Sequence, residues 1–216
     1  RDTYATRVGE QRVLQLADGS RVRLDTASKM RVRFTEGERR IELAEGQALF
    51  EVAHNPARPF VVSTSDASVT AVGTVFEVRR VGSETRVVLV SGAVDVVQAA
   101  TKGAPQRLLP NQQTAIKAGK AKVSTVNADT ATSWTTGELT FVDTPLAEAV
   151  AEVNRYLAAP IVLDAPAAAN TPINGVFRSG DRTAFVSAAA HLFDLKAIRE
   201  ADGKVRLVSS RNNAQG

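Results

Sequence analysis

The chain has 216 residues, 44% hydrophobic and 23% charged, which supplies one or two ordinary cores and excludes wholesale disorder. A net charge of +4 with aromatics at only 5% gives no basis for a nucleic-acid partner. Cysteine is absent, so disulfides and cysteine metal sites are excluded, and no apolar run reaches the roughly eighteen residues of a membrane span. The chain begins with Arg1 and shows no signal peptide, so it is expected to be a fragment of a longer protein.

The first hundred residues alternate with period two. In Arg21-Val22-Arg23-Leu24 and in Met30-Arg31-Val32-Arg33-Phe34, apolar and charged residues swap, as they do in strands with one buried face, which turns the arginines outward. Asp18-Gly19 separates the strand candidates Val13 to Leu16 and Arg21 to Leu24, a hairpin signal. Further strands are predicted at Ala48 to Val52, Phe60 to Ser63, Val69 to Val72, Val75 to Val78, Thr85 to Val90 and Ala93 to Val97. RVLQLADG at 12–19 resembles RRIELAEG at 39–46, and Gly19, Gly46 and Gly73 share that 27-residue spacing. Sandwich, roll and solenoid-like stack all fit such strands; the repeat favours a solenoid-like or roll-like stack of short strands as a mainly β domain over residues 1–116. Residues 117–133, rich in Ala, Lys, Thr and Ser, are expected to be a linker, and Trp134, the single tryptophan, a docking contact between that linker and the second domain or a partner anchor.

From 134 to 209 the pattern changes to a small α+β domain of two βαβ units plus a final strand. Leu139 to Val142 is a strand, Thr144 is placed to cap a helix and Pro145 to start it. Leu146, Ala149, Val150, Val153 and Leu157 then form one apolar stripe, and Pro160 precedes the strand Ile161 to Leu163. The order returns 36 residues later, with Phe177 in the place of Phe141, Ser179-Gly180-Asp181 as the helix start and Phe185, Ala188, Ala189, Leu192 and Phe193 as the stripe. Ala197 and Ile198 are the next strand, Asp202-Gly203 a turn, and Val205 to Val208 the last strand. Residues 210–216 are expected to be a disordered tail.

No catalytic constellation assembles. His54 and His191 fall in different predicted domains, Glu148 and Glu152 share the polar side of a helix, and no HExxH, GxSxG or phosphate-loop pattern is present. No enzyme activity, cofactor or metal is therefore expected. Gly73, with no lysine after it, is expected to allow a bulge or close approach of strands.

The motifs YATRVGEQRVLQLADGSRVRLDTASKMRVRF, RRIELAEGQALFEVAHNPARPFVVST, VTAVGTVFEVRR and VVLVSGAVDVV, in that order over residues 4–97, resemble the periplasmic FecR domain of transmembrane anti-sigma factors. GELTFVDTPLAEAVAEVNRYL and INGVF are similar to the C-terminal part of the same regulators, a secretin/TonB short N-terminal (STN)-like domain of twin βαβ fold. The resemblance implies the periplasmic region of a single-pass inner-membrane protein that binds the N-terminal signalling domain of an outer-membrane TonB-dependent transporter. It also implies periplasmic and intramembrane proteases as partners and, through a cytoplasmic domain absent from this chain, an extracytoplasmic-function sigma factor; the signal is iron-siderophore occupancy.

Two surfaces are candidates for the contact. One is the final strand, bearing Lys204, Arg206 and Val208, read as a sheet edge to which a partner adds a strand. The other is the arginine-bearing face of Arg21, Arg23, Arg31 and Arg33, suited to an acidic partner. The alternative function is a periplasmic glycan- or peptidoglycan-binding module, against which the scarcity of spare aromatics counts.

Overall fold

The computed structural model describes residues 2–211 and divides into two compact units, Arg1–Thr135 and Thr136–Gly216. The first unit holds thirteen strands among the described residues: β1 (Asp2–Ala5), β2 (Arg12–Gln15), β3 (Arg21–Leu24), β4 (Lys29–Phe34), β5 (Arg39–Glu51), β6 (Phe60–Ser63), β7 (Ala67–Ala71), β8 (Val75–Val81), β9 (Glu84–Ser91), β10 (Val94–Gln98), β11 (Gln106–Leu108), β12 (Gln112–Lys117) and β13 (Lys120–Thr125). Strand β5 organises them. Its first half pairs antiparallel with β4 and parallel with β6, and its second half pairs antiparallel with β3 and β8. One strand therefore serves two layers, the first completed by β1, β7, β10 and β11, the second by β2, β9, β12 and β13.

A strand that passes between layers has to bend. Gly46 supplies the bend: its φ is +95°, and a Cβ there would lie 2.0 Å from Ser28 Oγ. Ser28 Oγ also accepts from the Gln47 N–H at 2.9 Å, so the β3–β4 corner closes against the bend. The inner faces of both layers share one core, with Phe50 stacked on Phe76 at 5.2 Å and edge-on to Phe60 at 6.0 Å.

The result is the roll-like form of the expected all-β unit, a curled sheet. The 27-residue repeat does not build stacked rungs, because its glycines do different work: Gly19 turns the β2–β3 hairpin, Gly46 bends one continuous strand and Gly73 lies between β7 and β8. Nor are residues 117–133 a linker throughout. β13 pairs along the whole of β12, and a single helical turn, α1 (Ala128–Ala131), follows with Asn127 capping it through the Thr130 N–H at 3.0 Å.

The second unit runs β14 (Glu138–Pro145), α2 (Leu146–Asn154), β15 (Ile161–Asp164), β16 (Pro172–Arg178), α3 (Arg182–Phe193), β17 (Leu195–Arg199) and β18 (Val205–Ser209). Both strand–helix–strand units are present, but their strands are shared out: β14 pairs antiparallel with β16, while β15 and β17 flank β18. The repeat meets itself in the core, where Phe141 and Phe177 lie 6.0 Å apart and both pack on Phe185.

Helix α2 buries Leu146, Ala149, Val150 and Val153 as its spacing predicts. It has no side-chain cap: Thr144 Oγ1 turns to the Val142 carbonyl, and the carbonyls of Thr171 and Ala169 take the free N–H groups of Leu146 and Ala147 instead. Asp181 does cap α3, accepting from the Ala184 N–H at 3.0 Å. Leu192, expected in the α3 stripe, is 58% exposed, since Phe185 and Ala189 already fill the contact. At the C-terminus, Ser210 donates its N–H to Asp194 O and Arg211 pairs with Asp194 at 3.2 Å; the rest of the expected tail lies outside the described residues.

Candidate interaction site

The final strand is not an edge. In the three-stranded sheet the order is β15-β18-β17, so β18 has both of its hydrogen-bonding sides occupied. Arg206, expected to meet a partner, pairs with Glu200 at 2.5 Å and Asp164 at 3.3 Å, Lys204 pairs with Asp202 at 3.3 Å, and Val208 is half-buried. The sequence pattern of β18 is the same for a central strand as for an edge, and its place depends on the parallel pairing with β15, far away in the chain.

The edges of this sheet are β15 and β17, and of the two β17 is the more open strand, with residues Lys196 to Arg199 exposed on both faces. Glu200 donates its N–H to Lys204 O and Ser210 its N–H to Asp194 O. Antiparallel hydrogen-bonded pairs alternate, so Lys196 and Ile198 bond to β18 while the backbone N–H and C=O groups of Leu195, Ala197 and Arg199 point to the open side. Among the described residues no strand pairs there. Ile198, 41% exposed, sits on this strand beside Lys196 and Arg199.

The four arginines do not form one face. Arg21 and Arg23 lie on β3 in the second layer, Arg31 and Arg33 on β4 in the first, each on the side away from the buried Val22, Leu24, Met30 and Val32. Two layers around a common core present these sides in different directions. Glu51 pairs with Arg21 at 3.6 Å and Glu42 with Arg31 at 3.4 Å across their strand registers, a further reduction of any positive field.

Trp134 lies in the first unit, 3% exposed. Its indole N–H donates to Glu77 Oε1 at 2.5 Å, and Gln47 Nε2 donates to the same oxygen at 2.6 Å. Burial pushes the Glu77 carboxyl above the usual glutamate value; the Trp134 bond, the Arg86 charge, the Gln47 bond and the Arg79 charge pull it back without cancelling that effect. Glu77 alternates with Phe76 and Val78 in the sequence and is therefore expected in water, and nothing local signals that a later segment covers it.

The partners in a second buried network are equally hidden from the sequence. Arg39, with no exposed surface, donates to Asp18 Oδ2 at 2.7 Å and to the carbonyls of Arg58 and Ala53, both at 2.8 Å, with its guanidinium over the Phe60 ring. It ties the 53–58 loop to the β2–β3 turn. His54 is exposed beside Gly73, where a Cβ would lie 2.7 Å from its Nδ1, so what approaches this glycine is a loop side chain and not a neighbouring strand. His191 is exposed on α3, and Glu152 pairs with Arg155 at 2.9 Å while Glu148 faces solvent. Among the described residues no group of three or more His, Asp and Glu is placed to hold a metal ion, and no helix is long and apolar enough to cross a membrane.

Residues 2–95, from β1 into β10, match the family described as FecR protein. Beyond that segment the likeness continues through both units: 97% of the chain aligns with all of a crystal structure described as a "putative anti-sigma factor" from Parabacteroides distasonis, at 26% identity and a TM-score of 0.85. A second crystal structure of the same description aligns over 97% of this chain and 99% of that one, at 26% identity and a TM-score of 0.83. No curated protein sequence matches.

Proposed function

We propose that this chain is the signal-receiving periplasmic region of an inner-membrane anti-sigma regulator and that it acts by binding a folded partner. The observation that carries this reading is the FecR match over residues 2–95 combined with likeness, across 97% of the chain, to a protein described as an anti-sigma factor. The partner is the N-terminal signalling domain of an outer-membrane TonB-dependent transporter, loaded with an iron-siderophore. Regulated proteolysis then passes the signal to a sigma factor bound by a cytoplasmic part of the regulator, and the second unit is an STN-like module. The open side of β17 supports main-chain docking, in which a partner strand adds to Leu195, Ala197 and Arg199.

Titration calorimetry against isolated signalling domains of the source organism's transporters tests this. Saturable binding at about micromolar affinity or tighter is expected for one of them. Ala197→Pro, which removes an outward N–H at an edge position where proline is tolerated, is expected to weaken that binding by about tenfold or more while leaving the melting temperature nearly unchanged. Absence of binding to every signalling domain by the folded chain would overturn the proposal; equal binding by Ala197→Pro would move the interface off β17.

A further inference from the structure

The second layer of the first unit has an outer face that is covered. Leu49 on β5 is 7% exposed and Val88 on β9 is 1% exposed, although their strand neighbours Ala48, Phe50, Val87 and Leu89 are the ones that face the shared core. On this side α1 lies against β9 and Trp134 bonds to Glu77, which stands between Leu49 and Val88 in the strand registers, so we read the stretch 126–135 as the cover. Within it only Ala128 and Trp134 are buried.

Four hydrogen bonds attach it to the sheet at its two ends. The Val126 N–H donates to Asn111 O at 2.9 Å and the Ala128 N–H to Asn111 Oδ1 at 3.0 Å at one end; Gln11 Nε2 donates to Trp134 O at 3.1 Å, and Trp134 Nε1 to Glu77, at the other. Internal hydrogen bonds run from Thr130 to Asn127, Thr132 to Ala128 and Thr135 to Thr132. One helical turn has no stability of its own, so the segment stays in place through these anchors and the indole. None of the residues that build the two-layer core belongs to it, and neither do Leu49 and Val88.

We propose that residues 126–135 are a detachable strap with Trp134 as its catch, which lifts from the second layer while the core beneath stays folded. Opening exposes Leu49, Val88 and the Glu77 carboxylate with Arg79 and Arg86 beside it, a surface that is apolar at its sides and charged at its centre. The strap runs directly into Thr136, where the second unit begins. Segments held by few buried contacts open at lower free energy than the core, as a separate cooperative unit. This inference concerns the first unit alone and stands apart from the identity of the partner.

Amide and indole hydrogen exchange on the whole chain tests it, because a single tryptophan gives a single indole signal. The Trp134 indole N–H and the amides of 128–134 are expected to exchange about tenfold or more faster than the amides of Ala48, Phe50 and Val87. Gln11→Ala, which removes one anchor, is expected to speed exchange of the strap several-fold and leave those core amides unchanged; Glu77→Ala should do so more strongly. Should Glu77→Ala fail to fold, Gln11→Ala carries the test. Strap and core exchanging at one rate in the wild type, or rising together in Gln11→Ala, would overturn the proposal.

Discussion

Arg39 and Asp18 show how one buried charge fixes a loop. The guanidinium reaches Asp18 and the carbonyls of Ala53, Asn55 and Arg58 at hydrogen-bond distance, so its removal takes a donor from a carboxylate and from three half-buried carbonyls at once. Arg39→Met is expected to cost about 3–5 kcal/mol in urea unfolding, the usual penalty for breaking one side of a buried pair. Burial alone raises the Asp18 carboxyl, but the hydrogen bonds from Ser20 and Arg39 outweigh it and hold it below the ordinary aspartate value. A lowered folded value means that this stabilisation is present above the ordinary aspartate range and is lost as pH falls through the lower folded one. Stability profiles should therefore show a smaller loss on acidification in Arg39→Met than in the wild type; identical acid limbs would contradict the role given to this pair. The parity of Arg39 with Ile41 and Leu43 places it on the inward side of its strand, so its burial is legible in the sequence. Its partners are not, since Asp18 and the 53–58 carbonyls are brought to it by hairpin and loop closure.

At the level of elements, period-two alternation and short apolar runs between turn signals locate most strands of the first unit, but not β1, β13 or the first half of β5. What alternation leaves open is who pairs with whom. Nothing in RRIELAEGQALFE says that it is one strand in two layers rather than two strands joined by a turn at Gly46. The structure makes the glycine obligatory. Gly46→Ala combines a positive φ with a Cβ 2.0 Å from Ser28 Oγ and is expected to destabilise by about 2 kcal/mol or more in denaturant unfolding, whereas Gly82→Ala, with nothing within 4 Å, pays only the strain of its positive φ. Equal losses for the two would show that the corner can relax. The same blindness to pairing explains the exchange of β18 for β17 as the edge, and local capping rules favoured Thr144 where the loop carbonyls of 169–171 do the work.

For the whole molecule, the change from period two to a 3.6-residue stripe marks a change of architecture along the sequence, and the internal repeat set Phe177 in the place of Phe141 without saying that the two rings would meet, as they do at 6.0 Å. Trp134, expected to dock the linker on the second domain or to anchor a partner, is instead buried in the first unit, and the sequence could not show this because its acceptor Glu77 lies 57 residues earlier and has an ordinary strand pattern. The arginines, a conspicuous feature of the sequence, are divided between two layers, whereas the open backbone of β17 carries no sequence signal at all. Reception of a folded domain through β17 would be read in amide hydrogen exchange of the chain with and without a saturating signalling domain. Exchange is expected to slow at Leu195, Ala197 and Arg199, whose N–H groups point to the open side of the sheet. No protection at any amide of either unit in the presence of every signalling domain tried would contradict it.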